Sequence, residues 1–152
     1  MVSHHTKDKG DLGVYEVIAD LGRNGIHVCM PISEHLPFDL IAVSSTARLR
    51  RVQVKYRSLC DNGALVIPFK SAYSDANGYH ERPVDRTQFD CYAMYCPDSR
   101  KVYYVRNDEI SRAYSKCLTL RVLPPRNNQR ANIRFAADFE GAARIFEEQA
   151  PP

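Results

Sequence analysis

Pro37-Phe38-Asp39 opens an apolar run, Leu40 to Val43, and beyond the polar turn Ser44 to Ala47 the chain returns through Val52-Gln53-Val54-Lys55-Tyr56 in strict alternation. Runs of this kind on either side of a polar turn read as the paired strands of one hairpin. Successive side chains of a strand point to opposite faces, so Gln53 and Lys55 share one face while Val52, Val54 and Tyr56 share the other. An acid, Asp39, an amide oxygen and an ammonium then converge at one end of a sheet. That set suits phosphodiester hydrolysis, in which oxygen ligands hold a hard divalent cation and a neighbouring lysine activates water or steadies negative charge. Taken singly, each residue is better read as a solvated lysine on a polar strand face or as a turn aspartate.

Toward the amino terminus, Leu12, Val14, Tyr15, Val17, Ile18 and Leu21 form an apolar stripe that predicts a helix over Asp8 to Leu21, capped by Asp8 and stopped by Gly22 to Gly25. Glu16 lies on this helix, where periodicity alone fits a solvated acid. Ile26 to Pro31 reads as a first strand. Toward the carboxyl terminus, Asp61-Asn62-Gly63 is a tight-turn signal, and Ala64 to Phe69 reads as a fourth strand with Pro68 at an edge or end.

Lys70 to Arg86 is polar and long for an idle connection, with aromatics interleaved among Lys70, Arg82 and Arg86. It fits a segment touching a nucleic acid backbone and fits a solvated flap equally well. Phe89 to Cys96 and Lys101 to Arg106 predict a second hairpin across Pro97-Asp98-Ser99-Arg100, with Tyr92, Met94, Tyr103 and Val105 as core. A short helix is expected over Glu109 to Cys117, a strand over Leu118 to Leu123 ended by Pro124-Pro125, and a last helix from about Asp138 to Gln149. Between them, Arg126, Asn127, Gln129 and Arg130 offer the donors and acceptors that read base edges, although a surface loop has much the same composition. Arg57, Lys70, Arg82 and Arg86 would supply general phosphate affinity.

The chain of 152 residues fits one domain, 1–152, with candidate DNA-contacting loops at about 70–88 and 124–134. An apolar fraction of 44% and a charged fraction of 26% are those of a folded globular chain, and the net charge of +3 permits a polyanionic partner without demanding one. The cysteines, Cys29, Cys60, Cys91, Cys96 and Cys117, show no zinc-ligand spacing and read as buried free thiols in a reducing compartment. No apolar stretch approaches a membrane span, and no signal segment opens the chain, so a cytoplasmic protein with no membrane partner is expected.

Asp39 followed by Gln53-Val54-Lys55 resembles the PD-(D/E)XK nuclease signature, with Phe38 inside its first part and Gln53 where the family usually carries Asp or Glu. Gln in that slot resembles the homing endonucleases encoded in cyanobacterial group I introns. The resemblance runs on through Glu16, Phe89-Asp90-Cys91-Tyr92-Ala93-Met94-Tyr95, Lys101-Val102-Tyr103 and Leu120-Arg121-Val122 with Pro124 to Gln129, and so covers most of the chain. It implies an α+β, restriction-endonuclease-like core, a mixed β-sheet flanked by helices, and a metal-dependent, sequence-specific double-stranded DNA endonuclease. The resemblance further implies Mg2+, or another divalent cation such as Mn2+, held by Asp39, Gln53 and the Val54 carbonyl, with Glu16 reaching it directly or through water. Lys55 would orient and help deprotonate the attacking water. A homotetramer is implied, with a dimer as the smaller alternative. The competing readings are a Holliday junction resolvase or a restriction-type nuclease on the same fold, a non-catalytic DNA-binding module, and a protein-interaction domain.

Overall fold

The computed structural model describes residues 5–33, 35–110, 116–124 and 133–147. The first element, α1 (His5–Arg23), starts earlier than expected, so Asp8 sits inside its first turn and not at its cap. Gly13, Val17 and Leu21 recur on one face and are buried. The helix ends where Gly25 takes a positive φ of 71° and the Ile26 N–H returns to the Leu21 carbonyl at 3.0 Å, a glycine-dependent stop.

Five strands form the central sheet in the order β1-β2-β3-β7-β8. These are β1 (His27–Cys29), β2 (Leu40–Val43), β3 (Leu49–Tyr56), β7 (Cys91–Cys96) and β8 (Lys101–Arg106). All neighbours are antiparallel except β3 and β7, which run parallel with Gln53 beside Tyr92 and Lys55 beside Met94. The expected β2–β3 hairpin is present, with Leu40 opposite Val52. Strand β7, between β3 and β8, is buried along its whole length because both faces of the sheet are covered there. Alternation divides the core into two faces. Val52, Val54, Cys91, Ala93 and Tyr104 pack beneath α1, while Tyr92, Met94, Tyr103 and Val105 pack on the opposite side.

That second side is covered by an element whose pairing the sequence did not reveal. Strand β4 (Ala64–Pro68) does not continue the β3 meander. It pairs antiparallel with β9 (Cys117–Arg121), and Leu65 and Ile67 are buried against the sheet with Leu118 and Leu120. The physical reason is that β7 already takes the free edge of β3, so the Asn62-Gly63 turn carries β4 into a second layer. The polar segment expected to be a loop is a two-stranded ribbon, β5 (Lys70–Asp75) and β6 (Gly78–Pro83), turning at Ala76-Asn77. The expected final helix is instead two 3-10 turns, Ala136–Phe139 and Ala142–Phe146, separated where Gly141 has φ of 91°. The two turns straddle β8: Phe139 joins one core, Ile145 and Phe146 the other. A 3-10 turn, Asn107–Glu109, ends where the helix over Glu109 to Cys117 was expected to begin; residues 111–115 lie outside the described residues. Cys91 and Cys96 are buried as expected, but Cys29 and Cys60 are exposed.

The parallel junction is pinned by Asp90. Its Oδ2 accepts the Arg51 N–H at 2.7 Å and its Oδ1 accepts Arg51 Nη2 at 2.9 Å, tying β3 to the start of β7. Burial opposes the charge on Asp90, but side-chain and backbone hydrogen bonds from Arg51 outweigh it and hold the carboxyl below the usual range. A depressed folded pKa contributes stability above the unfolded value that is lost as pH falls through the folded one. Asp90→Asn is therefore expected to lower stability near neutral pH by about 1 kcal/mol, a size set by partial exposure of the pair. In urea titrations across pH, the gap from the parent should close as pH falls below about 3.9.

Candidate active site

The site forms where β2 stops short of β3. The Asp39 N–H donates to the Val52 carbonyl at 2.9 Å and, among the described residues, makes the last ladder contact, after which β3 is paired only with β7. Along a strand the backbone groups alternate between its two edges, so Val52 and Val54 address the β2 side while Gln53 and Lys55 address β7. The Val54 N–H accordingly donates to Asp39 Oδ2 at 2.6 Å, and the Val54 carbonyl projects from the same bare edge. Gln53 Nε2 donates to the same carboxylate oxygen at 2.5 Å. Asp39 Oδ1 accepts no hydrogen bond among the described residues. The structure thus brings together Asp39, Gln53 and the backbone of Val54, with Lys55 one residue further along β3.

Lys55 is half-buried. Desolvation lowers its pKa from the ordinary lysine value; the Asp39 carboxylate works in the opposite direction, and Arg57 adds to the lowering. An ammonium so placed gives up its proton more readily than a solvated lysine.

Asp39, Val54 and Lys55 line two adjoining recesses. One, of about 630 Å3, is lined by Asp39, Phe38, Val54 and Tyr56 together with Lys7, Gly10 and Asp11 of α1. The other, of about 530 Å3, is lined by Lys55 and Arg57 together with Thr6, Lys9 and Gly10. Glu16 lines neither. It borders a separate recess of about 140 Å3 with Asp20, Arg23, Arg100 and Glu140. Five residues on a helix of 3.6 residues per turn put Asp11 and Glu16 on different faces, and it is Asp11 that lines the recess Asp39 lines. Apolar periodicity locates a helix but not which of its acids borders which recess, so it carries no signal for Asp11.

The donor set fits a hard divalent cation through a carboxylate, an amide oxygen and a backbone carbonyl, all oxygen. Among the described residues no three His, Cys, Asp or Glu side chains cluster closely enough to hold a metal, consistent with a set that contains only one strand acid.

The expected DNA-contacting residues are dispersed. Arg57 lies in the second recess beside Lys55. Lys70 and Arg82 lie exposed on the β5–β6 ribbon, where Lys70 Nζ bonds Glu81 at 2.6 Å and Tyr79 donates to the same carboxylate oxygen at 2.9 Å. Arg86 departs from expectation: its guanidinium lies over the Phe69 ring at 4.5 Å with Nη1 buried, so it faces inward rather than toward a phosphate. Arg126, Asn127, Gln129 and Arg130 lie outside the described residues.

Keeping a charged lysine half-buried costs stability. Lys55→Met is expected to raise the urea midpoint, because it removes the desolvated ammonium. A lowered folded pKa makes that cost largest below the folded value, so the gain should shrink as pH rises toward about 10.4. Unfolding curves at several pH values check this; an unchanged or lowered midpoint at neutral pH would contradict it.

The PD-(D/E)XK endonuclease family matches residues 4–142. Among solved structures, a bacterial homing endonuclease, I-Ssp6803I, superposes with a TM-score of 0.73 at 20% identity, covering 92% of this chain and 91% of that one. No curated protein sequence matches the chain. The similarity to I-Ssp6803I establishes a shared restriction-endonuclease-like fold, and the match along nearly the whole sequence establishes the kinship: the chain belongs to the PD-(D/E)XK endonuclease family.

Proposed function

We propose that the protein is a metal-dependent endonuclease that cuts double-stranded DNA at a specific sequence, in the manner of a homing endonuclease. The observation that carries this reading is the Asp39 carboxylate held against the Gln53 amide and the Val54 backbone on the bare edge of β3, with Lys55 next in line. Membership of an endonuclease family and the fold shared with a bacterial homing endonuclease support it.

Asp39, the Gln53 side-chain oxygen and the Val54 carbonyl would hold Mg2+, or Mn2+ in its place, with Asp11 rather than Glu16 as the helix acid nearest the set. A bound divalent cation supplies charge neutralisation at the scissile phosphate. The Val54 and Gln53 N–H groups fix Asp39 in one orientation, so the carboxylate does not reorganise during reaction. Lys55, more easily deprotonated than a solvated lysine, takes the proton of the attacking water or steadies the charge forming on phosphate oxygen. Gln53 contributes no charge, so the site binds its cation less tightly than an acidic counterpart.

One chain carries one such cleft, and a duplex has two strands, so double-strand cutting needs at least two copies; we take the working assembly to be a homotetramer or a dimer. Lys70 and Arg82 on the β5–β6 ribbon add phosphate affinity, since a two-stranded ribbon fits the major groove. Base reading falls to Arg126, Asn127, Gln129 and Arg130.

The test incubates the protein with magnesium and a randomised duplex library and sequences the cut ends. Cleavage at one recurrent sequence is expected. Asp39→Ala and Lys55→Ala should each slow it at least about 100-fold without unfolding the protein, and Asp11→Asn should slow it where Glu16→Gln does not. Full activity in Lys55→Ala would remove the lysine from the reaction, and preference for four-way junctions over every linear duplex would favour a resolvase.

A further inference from the structure

Two glycines one turn apart on α1 have different explanations. Gly13 is buried, and a Cβ there would meet Tyr56 Cβ at 3.3 Å and the Tyr56 nitrogen at 3.5 Å, so close packing on β3 accounts for it. Gly10 lies on the same inward stripe, three residues earlier, yet it is exposed and a Cβ there would meet nothing within 4 Å. Glycine is the least favourable residue in a helix interior after proline, and no contact among the described residues requires it here. The stripe Gly10, Gly13, Val17, Leu21 continues past the end of the sheet, so at Gly10 the core-facing side of the helix overhangs open space.

That space is the junction of the two recesses. Gly10, Val54 and Tyr56 line both, which makes them one trough roofed by Gly10 and floored by the end of β3. Lys7 and Asp39 lie on one side of the junction, Lys9, Lys55 and Arg57 on the other. Four cations against Asp11 and Asp39 give the trough a net attraction for a polyanion. Glycine is the residue used where a backbone or ligand must approach closely.

We propose that the trough beneath Gly10 is the channel for the sugar-phosphate backbone of the strand being cut, with Lys7 and Lys9 holding the phosphates that flank the scissile one. Gly10 keeps the roof high enough for the strand to pass. This rests on the nuclease reading and assigns α1 a role in binding, beyond supplying an acid.

Gly10→Leu puts a strong helix former where the protein has room for it, and its side chain projects into the trough. The parent and Gly10→Leu are compared by thermal melting and by binding of a fluorescent mixed-sequence duplex pool in calcium at several salt concentrations. The variant should melt about 2 to 4 °C higher, bind at least tenfold more weakly, and lose cleavage in magnesium. Lys7→Ala and Lys9→Ala should each reduce the slope of log affinity against log salt by about one. A Gly10→Leu protein that binds and cleaves like the parent overturns the channel while leaving the nuclease reading intact. A parent that binds and cuts no duplex under any of these conditions overturns both.

Discussion

The early end of β2 is the constraint on which the site depends. Had the ladder continued one more step, the Val54 N–H and carbonyl would be spent on a neighbouring strand. Instead the Asp39 side chain takes the place of the missing backbone, accepting the Val54 N–H at 2.6 Å. This satisfies a donor that would otherwise be left without a partner and fixes a carboxylate at the sheet end. The adjacent carbonyl of the same residue stays available on that edge. Sheet termination and site assembly are thus one event, and both rest on β3 being anchored from its other side by β7, through the parallel ladder and the Arg51–Asp90 clamp.

The parts of this fold that were legible in the sequence are those where one period suffices. Strict alternation in Val52 to Tyr56 assigned Gln53 and Lys55 to one face and predicted the β2–β3 hairpin, and the buried run Cys91 to Cys96 marked a strand inside the core. What escaped was long-range pairing. Alternation in Ala64 to Pro68 states that one face is buried but not that the partner is Leu118 and its neighbours, about a third of the chain away. The β5–β6 ribbon read as a loop because its residues are polar on both sides, and polar strands carry no burial signal. Gly141 divides the last apolar segment into two 3-10 turns, a break that the spacing of Phe139, Ala142 and Ile145 alone did not announce. Which acid of α1 borders which recess is hidden for a related reason, since where the helix lies relative to β3 is a tertiary fact.

Stability and chemistry pull in opposite directions around the trough. Lys55 is desolvated, and Gly10 weakens a helix that could have carried a better residue at no steric cost. Both concessions lie at the same sheet end, whereas the clamp at Asp90 and the Arg106–Glu109–Arg144 network behind β8 strengthen the far side. Two concessions of this kind at one sheet end mark a site rather than a poorly packed region.

The central claim is that Asp39, Gln53 and the Val54 carbonyl form the cation site at the bare edge of β3. Manganese(II) titrated into isotope-labelled protein, followed by paramagnetic broadening of backbone amide signals, locates a bound ion without requiring activity or DNA. The account predicts that the amides of Asp39, Gln53, Val54 and Lys55 broaden first, with Asp11 close behind, and that Asp39→Ala abolishes the effect. Broadening centred on Glu16, Asp20 and Glu140, or broadening at β3 that survives Asp39→Ala, would contradict it.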